Sequence, residues 1–267
     1  MRLLHQHEQI ARLLPEVTER YSEKQRFFAV ISWGAAATQW LSRALSDCPG
    51  VYCSHWRNTW GTEYPGLDEL DAVNFLKAIA SYARGAVAVG NVHGVLGSDV
   101  PALSEAFGNR FRSAVLVRDP LPRLRSQLGL FAGLAHERIW SVDYLKETFP
   151  AIEALLPTGA YEEWLFVHGA NMLNNILYEQ SIGPIFRMED VTTTPAALIE
   201  LAGYLTDGCL SVTGAWAEAS LARGAMNEHA GAAEVLFIPW QRLVLKLVVD
   251  ERAIDAYRAL GYDPRWT

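Results

Sequence analysis

Residues 27–45 read FFAVISWGAAATQWLSRAL, and the fold turns on this stretch. Residues 27–31 form a short apolar run with the length and bulk of a buried strand. Residues 32–37 are small or polar, apart from Trp33, and include one glycine. From Thr38 the spacing becomes helical, with Trp40, Leu41, Ala44 and Leu45 on one side. A strand, a tight turn of small residues and a helix make a phosphate cradle. Backbone N–H groups of the first helical turn point at the ligand, and the helix dipole favours negative charge there. The Gly-Lys-Ser/Thr ending of a Walker A loop is absent. The same pattern also builds an ordinary strand–helix unit that binds nothing, so this stretch does not by itself assign a function.

The rest of the chain narrows the class. Half of its 267 residues are hydrophobic and a fifth are charged, enough apolar material for a sizeable core. That length fits one α/β domain or two small ones. The net charge is −7, so nucleic acid and anionic membrane are not default partners, and any anion site must be a local basic cluster. Cys48, Cys53 and Cys209 form no CxxC pair and no even framework, which points to reduced thiols and a cytoplasmic chain. Leu3, Leu4, Ile10, Leu13, Leu14 and Val17 lie among charges and predict an amphipathic helix over 3–24, divided by Pro15, rather than a signal peptide. No apolar run reaches membrane-spanning length.

Along the chain, strands are expected at 27–31, 51–53, 86–92, 111–117 and 184–187. Helices are expected at 38–45, 67–83, from Asp99-Val100-Pro101 onward, through much of 121–180, at 195–204 and at 239–260. Asp99 and Thr194 are the expected N-caps, with Pro101 and Pro195 in the first turns. Residues 57–66 read as a long loop. Alternating strands and helices imply an α/β fold with a mainly parallel sheet flanked by helices. No linker composition appears, so residues 1–267 are read as a single domain. It comprises an N-terminal helical segment over 1–24, an α/β core over 26–205 and a C-terminal helical part over 206–267. The small residues 33–37, His55, His93, Arg118 and Glu189-Asp190 all follow expected strand ends. In an open parallel sheet those ends form one ligand-binding rim.

The second informative stretch, residues 115–128, reads VLVRDPLPRLRSQL. A buried strand delivers Arg118, Asp119-Pro120 turns the chain, and Ser126 lies two turns into the next helix. A guanidinium fork and a hydroxyl so placed can hold one phosphate. The alternative is that Arg118 locks the turn against a carboxylate while Arg123 and Arg125 face solvent.

Together the two stretches resemble the sulfotransferases that use 3′-phosphoadenosine-5′-phosphosulfate (PAPS). In that family a small-residue loop ending in Thr-Trp-Leu or similar binds the phosphosulfate, and GAAATQWL is its counterpart here. The resemblance therefore implies donor contacts from Gly34, Ala35, Ala36, Ala37, Thr38, Gln39 and Trp40. The family's Arg-Asp-Pro, then Arg, then Ser, which binds the 3′ phosphate, is matched by Arg118-Asp119-Pro120, Arg123 and Ser126. Looser echoes are Arg187-Met188-Glu189-Asp190-Val191 with Pro195, Asp47-Cys48-Pro49-Gly50-Val51, and Leu260-Gly261-Tyr262. Arg223-Gly224 resembles part of an Arg-Lys-Gly that also meets the 3′ phosphate. The likeness covers roughly residues 26–265. It implies a P-loop-like, three-layer α/β/α architecture, PAPS as donor and 3′-phosphoadenosine-5′-phosphate (PAP) as product. It further implies a small-molecule or carbohydrate hydroxyl as acceptor.

One departure is evident. The loop's usual basic residue and its glycine before the Thr fall at Ala35 and Ala37. Loss of a charge-directed donor costs on the order of 3 kcal/mol, about a hundredfold in rate. A catalytically impaired relative that binds a nucleotide or partner is therefore the competing reading. His93 is the expected general base, because a neutral imidazole suits removal of a hydroxyl proton near pH 7. His55 is the second candidate. His136 and His168 fall within helical segments and read as structural or surface groups, and no side-chain set has metal-ligand spacing. Trp33, Trp56 and Trp60 fall near rim loops, while core packing accounts for most of the nine tryptophans.

Overall fold

The structure is a computed structural model and describes residues 24–32, 36–55, 71–134, 142–224 and 237–264. The helix expected over 3–24, the loop over 57–66, Trp33, Gly34, Ala35 and His136 lie outside the described residues. In chain order the elements are β1 (Arg26–Ile31), α1 (Thr38–Ser46), β2 (Val51–His55), α2 (Ala72–Tyr82), β3 (Ala88–Val92), α3 (Val100–Phe107) and β4 (Phe111–Val117). There follow α4 (Pro120–Leu134), α5 (Asp143–Thr148), α6 (Tyr161–Met172), α7 (Ile176–Glu179), β5 (Ile185–Arg187), α8 (Met188–Thr193), α9 (Pro195–Leu205) and α10 (Gly214–Ala222). The last two are α11 (Pro239–Val248) and α12 (Glu251–Ala259).

The five strands form one parallel sheet in the order β2-β3-β1-β4-β5. β1 is its middle strand, and Phe27, Phe28, Ala29 and Val30 are wholly buried. Its continuous apolar run is what a strand covered on both faces requires. Gly90 faces Phe28 across the β1–β3 ladder, and a Cβ there would stand 2.2 Å from the Phe28 ring. The glycine is the space that ring occupies. At the opposite end of the strands, Arg26 and Arg112 both pair with Asp207, at 3.2 and 2.7 Å. These half-exposed pairs align β1 and β4 more than they stabilise them.

The chain divides into two compact units. Among the described residues, one takes those within 24–32, 37–116 and 182–224 and contains the sheet; the other takes Ala36 and those within 117–181 and 237–264 and is helical. In the sheet unit α1 packs on β2 and β3, α2 on β3, and α9 on β1. Leu41, Leu45, Phe75, Leu76, Leu198 and Leu201 fill the layers between. In the helical unit α4, α6 and α11 pack around Trp164, Phe166, Leu124 and Leu245. Gly169 admits the close approach of α6 to α4, since a Cβ there would meet Leu124 Cδ1 at 2.6 Å. No helix among the described residues is long and apolar enough to cross a membrane.

Three local expectations change. The helix expected over 239–260 is two helices. Asn174 breaks it, donating from Nδ2 to Val248 O and accepting the Asp250 N–H at Oδ1, both at 2.8 Å. Asp250 then starts α12 by accepting the Arg252 N–H at 2.8 Å. Asp99 precedes α3, but its carboxylate accepts the Leu96 N–H, at 2.9 Å, and closes the preceding 3₁₀ turn instead. Thr194 and Pro195 occupy the expected positions at α9, yet the Thr194 hydroxyl makes no capping bond. Cys48 and Cys53 are buried free thiols.

Replacing Gly90 with Ala forces a methyl into the fully buried Phe28 ring. It should lower stability by about 1–3 kcal/mol, read as a fall in the urea midpoint with an unchanged denaturant slope.

Candidate functional site

The sheet register places the chemistry. His55 pairs with Val92 across β2–β3, and Val30 with Val92 across β1–β3. Ser32, His55 and His93 therefore lie at the same end of adjacent strands. His93 follows β3 directly, and its N–H continues the ladder by donating to Val30 O at 2.9 Å. It then adopts a left-handed backbone, φ 70°. This turns its ring so that Nδ1–H donates to Ser32 O at 2.5 Å. A carbonyl can only accept, so the bond fixes the tautomer: in the neutral ring Nε2 carries the lone pair.

His55 stands beside it. The two imidazoles are stacked, with centroids 6.0 Å apart and planes 24° apart. His55 Nε2 lies 3.1 Å from Thr38 Oγ1, the hydroxyl of the first residue of α1. Ala37 precedes that helix in a left-handed conformation, φ 52° and ψ 28°, and its carbonyl accepts the Leu41 N–H at 2.9 Å. The first turn of α1 holds no acidic residue and no side-chain cap. Its leading N–H groups thus have no acceptor inside the helix, and no carboxylate of that first turn faces the dipole's positive end. Ser32 is buried, and its Oγ has no hydrogen-bond partner among the described residues.

Asn91 was not anticipated. It is 0% exposed on β3 and braces the His93 turn. Its Nδ2 donates to Ser54 Oγ at 2.9 Å, and its Oδ1 accepts the Gly94 N–H at 2.6 Å. The signal was available as one amide inside the apolar run AVAVGNV, because a buried polar group must find partners.

Trp40 and Arg223 meet elsewhere in the same unit. They line a cavity of about 240 Å³ with Arg43, Ala44, Ser220 and Gly224. α10 is seated on α1 by Trp216 Nε1, which donates to Ala44 O at 3.0 Å. Arg223 ion-pairs with Asp47 at the end of α1. Ser220 is 1% exposed, and its hydroxyl has no partner among the described residues. Arg43 and Ser220 complete this wall. Gln39 is exposed on α1 and Ala36 is buried.

In the helical unit, Arg118 and Ser126 are half-buried. Asp119 caps α4: its Oδ1 accepts the Leu121 N–H, and its carbonyl accepts the Arg123 N–H, both at 3.0 Å. Pro120, which lacks an N–H, takes the first helical position, where none is needed. Arg123 is not a solvated residue; it is 2% exposed and donates from Nη1 to Tyr257 Oη at 3.2 Å. His168 lies on α6 beside the Tyr144 hydroxyl, and burial lowers its pKa. Among the described residues no group of three or more His, Cys, Asp or Glu could hold a metal ion.

An alanine in the left-handed region is held at a cost of about 1–2 kcal/mol. Ala37→Gly should therefore raise stability by roughly 0.5–1 kcal/mol, once glycine's larger unfolded-state entropy is subtracted. A higher urea midpoint checks this.

No protein-family model matches the chain, and no curated protein sequence matches it. Among solved structures it is similar to the crystal structure of a sulfotransferase from Alicyclobacillus acidocaldarius. The identity is 15% and the TM-score 0.48, over 91% of this chain and 98% of that one.

Proposed function

We propose that this chain is a sulfotransferase that moves the sulfuryl group of PAPS to a hydroxyl of a small-molecule or carbohydrate acceptor. The observation that carries the reading is the imidazole of His93, held by Ser32 O in the tautomer a base requires, in the same rim as the acid-free start of α1.

PAPS supplies an activated sulfuryl group on a phosphate leaving group. The acceptor oxygen bonds to sulfur while the bridging S–O bond breaks and PAP departs. Within that reaction His93 Nε2 takes the acceptor proton, and Nδ1–H stays on Ser32 O as the ring becomes imidazolium. The N-terminus of α1, the Thr38 hydroxyl and the buried Ser32 hydroxyl suit the phosphosulfate, since an orphaned buried hydroxyl is a donor awaiting an acceptor. His55 holds the Thr38 hydroxyl in place. Arg118 and Ser126 are assigned to the 3′ phosphate. The Trp40 wall of the cavity, with Arg43, Ser220 and Arg223, suits a flat base that carries an anionic group. The three free thiols fit a reducing compartment, and we assign the enzyme to the cytoplasm.

Ala35 and Ala37 favour one competing reading, a relative that binds the nucleotide and transfers nothing. Nucleotide binding without turnover would select it.

Saturating PAP, at a hundred times its Kd, should stabilise the protein by about 2.7 kcal/mol, a Tm rise of roughly 5–10 °C for a chain this size. In Arg118→Ala, calorimetric titration should give an affinity weaker by about 1.5–3 kcal/mol; unchanged affinity would remove Arg118 from the site. Substituting His93 with Gln should lower turnover about 10²- to 10⁴-fold with PAP affinity retained. Near-normal turnover would rule it out as the base.

A further inference from the structure

We propose that the C-terminal residues Tyr262 and Tyr257, with the buried Arg123, are positioning residues that set the guanidinium of Arg118 for the 3′ phosphate of the nucleotide. The proposal rests on the nucleotide reading above and deepens it.

Gly261, at φ 80°, turns the chain at the end of α12 and sends Tyr262 back into the helical unit. There the buried Tyr262 hydroxyl donates to Val117 O at 3.2 Å, and Val117 is the residue directly before Arg118. Five residues earlier, the buried Tyr257 hydroxyl accepts from Arg123 Nη1 at 3.2 Å and donates to Leu173 O at 3.3 Å. The two rings meet edge to face, with centroids 6.3 Å apart. One short C-terminal segment therefore grips the connection that carries Arg118 on both sides, at the strand end and in the first turn of α4. Burial pushes the Tyr257 hydroxyl up to about 12, so it stays protonated and can donate and accept at once.

Arg123 indicates that the arrangement serves more than packing. Its Nε and Nη2 are buried without partners among the described residues. The carboxylates of Asp119 and Glu179 lie near enough to act on the Tyr257 hydroxyl beside it. A buried, incompletely bonded guanidinium is a poor way to stabilise a helix. It is a good way to give α4 a single rotation, because only one setting meets the tyrosine hydroxyl. Fixing the chain around Arg118 removes ordering that would otherwise accompany phosphate capture, and such preorganisation appears as affinity.

The test uses the full chain and two nucleotides, PAP and adenosine 5′-phosphate, which lacks the 3′ phosphate. Tyr262→Phe deletes one oxygen, and Arg123→Met, of similar shape, is the second variant should the first fold poorly. The expected result is a loss of PAP affinity of roughly three- to tenfold, with adenosine 5′-phosphate affinity unchanged. An equal loss for both nucleotides would mean a merely structural role and would overturn the proposal. So would unchanged PAP affinity in a folded variant, with the nucleotide reading left standing. Absence of PAP binding by the unaltered protein would overturn both.

Discussion

The position of His93 is set by the register of β3 on β1. Its N–H takes the next rung of the parallel ladder, on Val30 O, and its ring takes Ser32 O. Val30 belongs to β1, the strand enclosed by β3 and β4 at its edges, and Ser32 follows its last residue. A slip of one residue would turn the side chains of β3 to the opposite face and carry the imidazole with them. Gly90 opposes such a slip, because the Phe28 ring fits against that position and a side chain would not. Core packing at the middle of the sheet and the placement of the His93 ring at its end are thus one constraint.

Two non-glycine residues hold left-handed conformations at this rim, Ala37 before α1 and His93 after β3. Each is a site where strain persists because its surroundings over-determine it. At His93 the surroundings are visible: one backbone bond, one ring bond and the Asn91 amide bracing the following glycine. At Ala37 the helix supplies the restraint through the Leu41 N–H. A glycine would reach the same conformation freely, so the alanine exchanges some stability for a narrower range of turn geometries. The turn just ahead of Thr38 is where a loose backbone would be most harmful to an anion site.

Much of this was legible in the sequence. All five strands and the Asp119-Pro120 start of α4 follow from short-range chemistry: apolar runs, a cap and a proline. Also legible was that His55 and His93 share a sheet end, since a parallel sheet gathers its strand ends on one side. Illegible were features set by distant partners. Asn174 ends α11 some 74 residues away in sequence, through its bond to Val248 O. Arg123 lies in a run of arginines whose local pattern leaves burial and solvation open, and its hydrogen-bond partner in the core, Tyr257, is 134 residues away. Ser220 and Arg43 join the cavity because Trp216 docks α10 on α1, a contact that no local pattern encodes.

The residues that break the local rules have a shared logic. Asn91 is an amide in a buried strand, Arg123 a guanidinium in a helical core, and Ser32 and Ser220 are buried hydroxyls. Apolar residues of the same size would stabilise each position at least as well, because a buried polar group contributes little net energy even when fully bonded. What polar groups add is direction. The Asn91 amide works only with the turn beyond β3 in one conformation, and Arg123 only with α4 in one rotation. An enzyme of this proposed type, lacking a cation in its loop, depends more than most on donors held in fixed directions, since preorganised dipoles act without reorganising during the reaction. The stability given up at these positions is therefore consistent with a rim and a helix start whose geometry matters more than their strength.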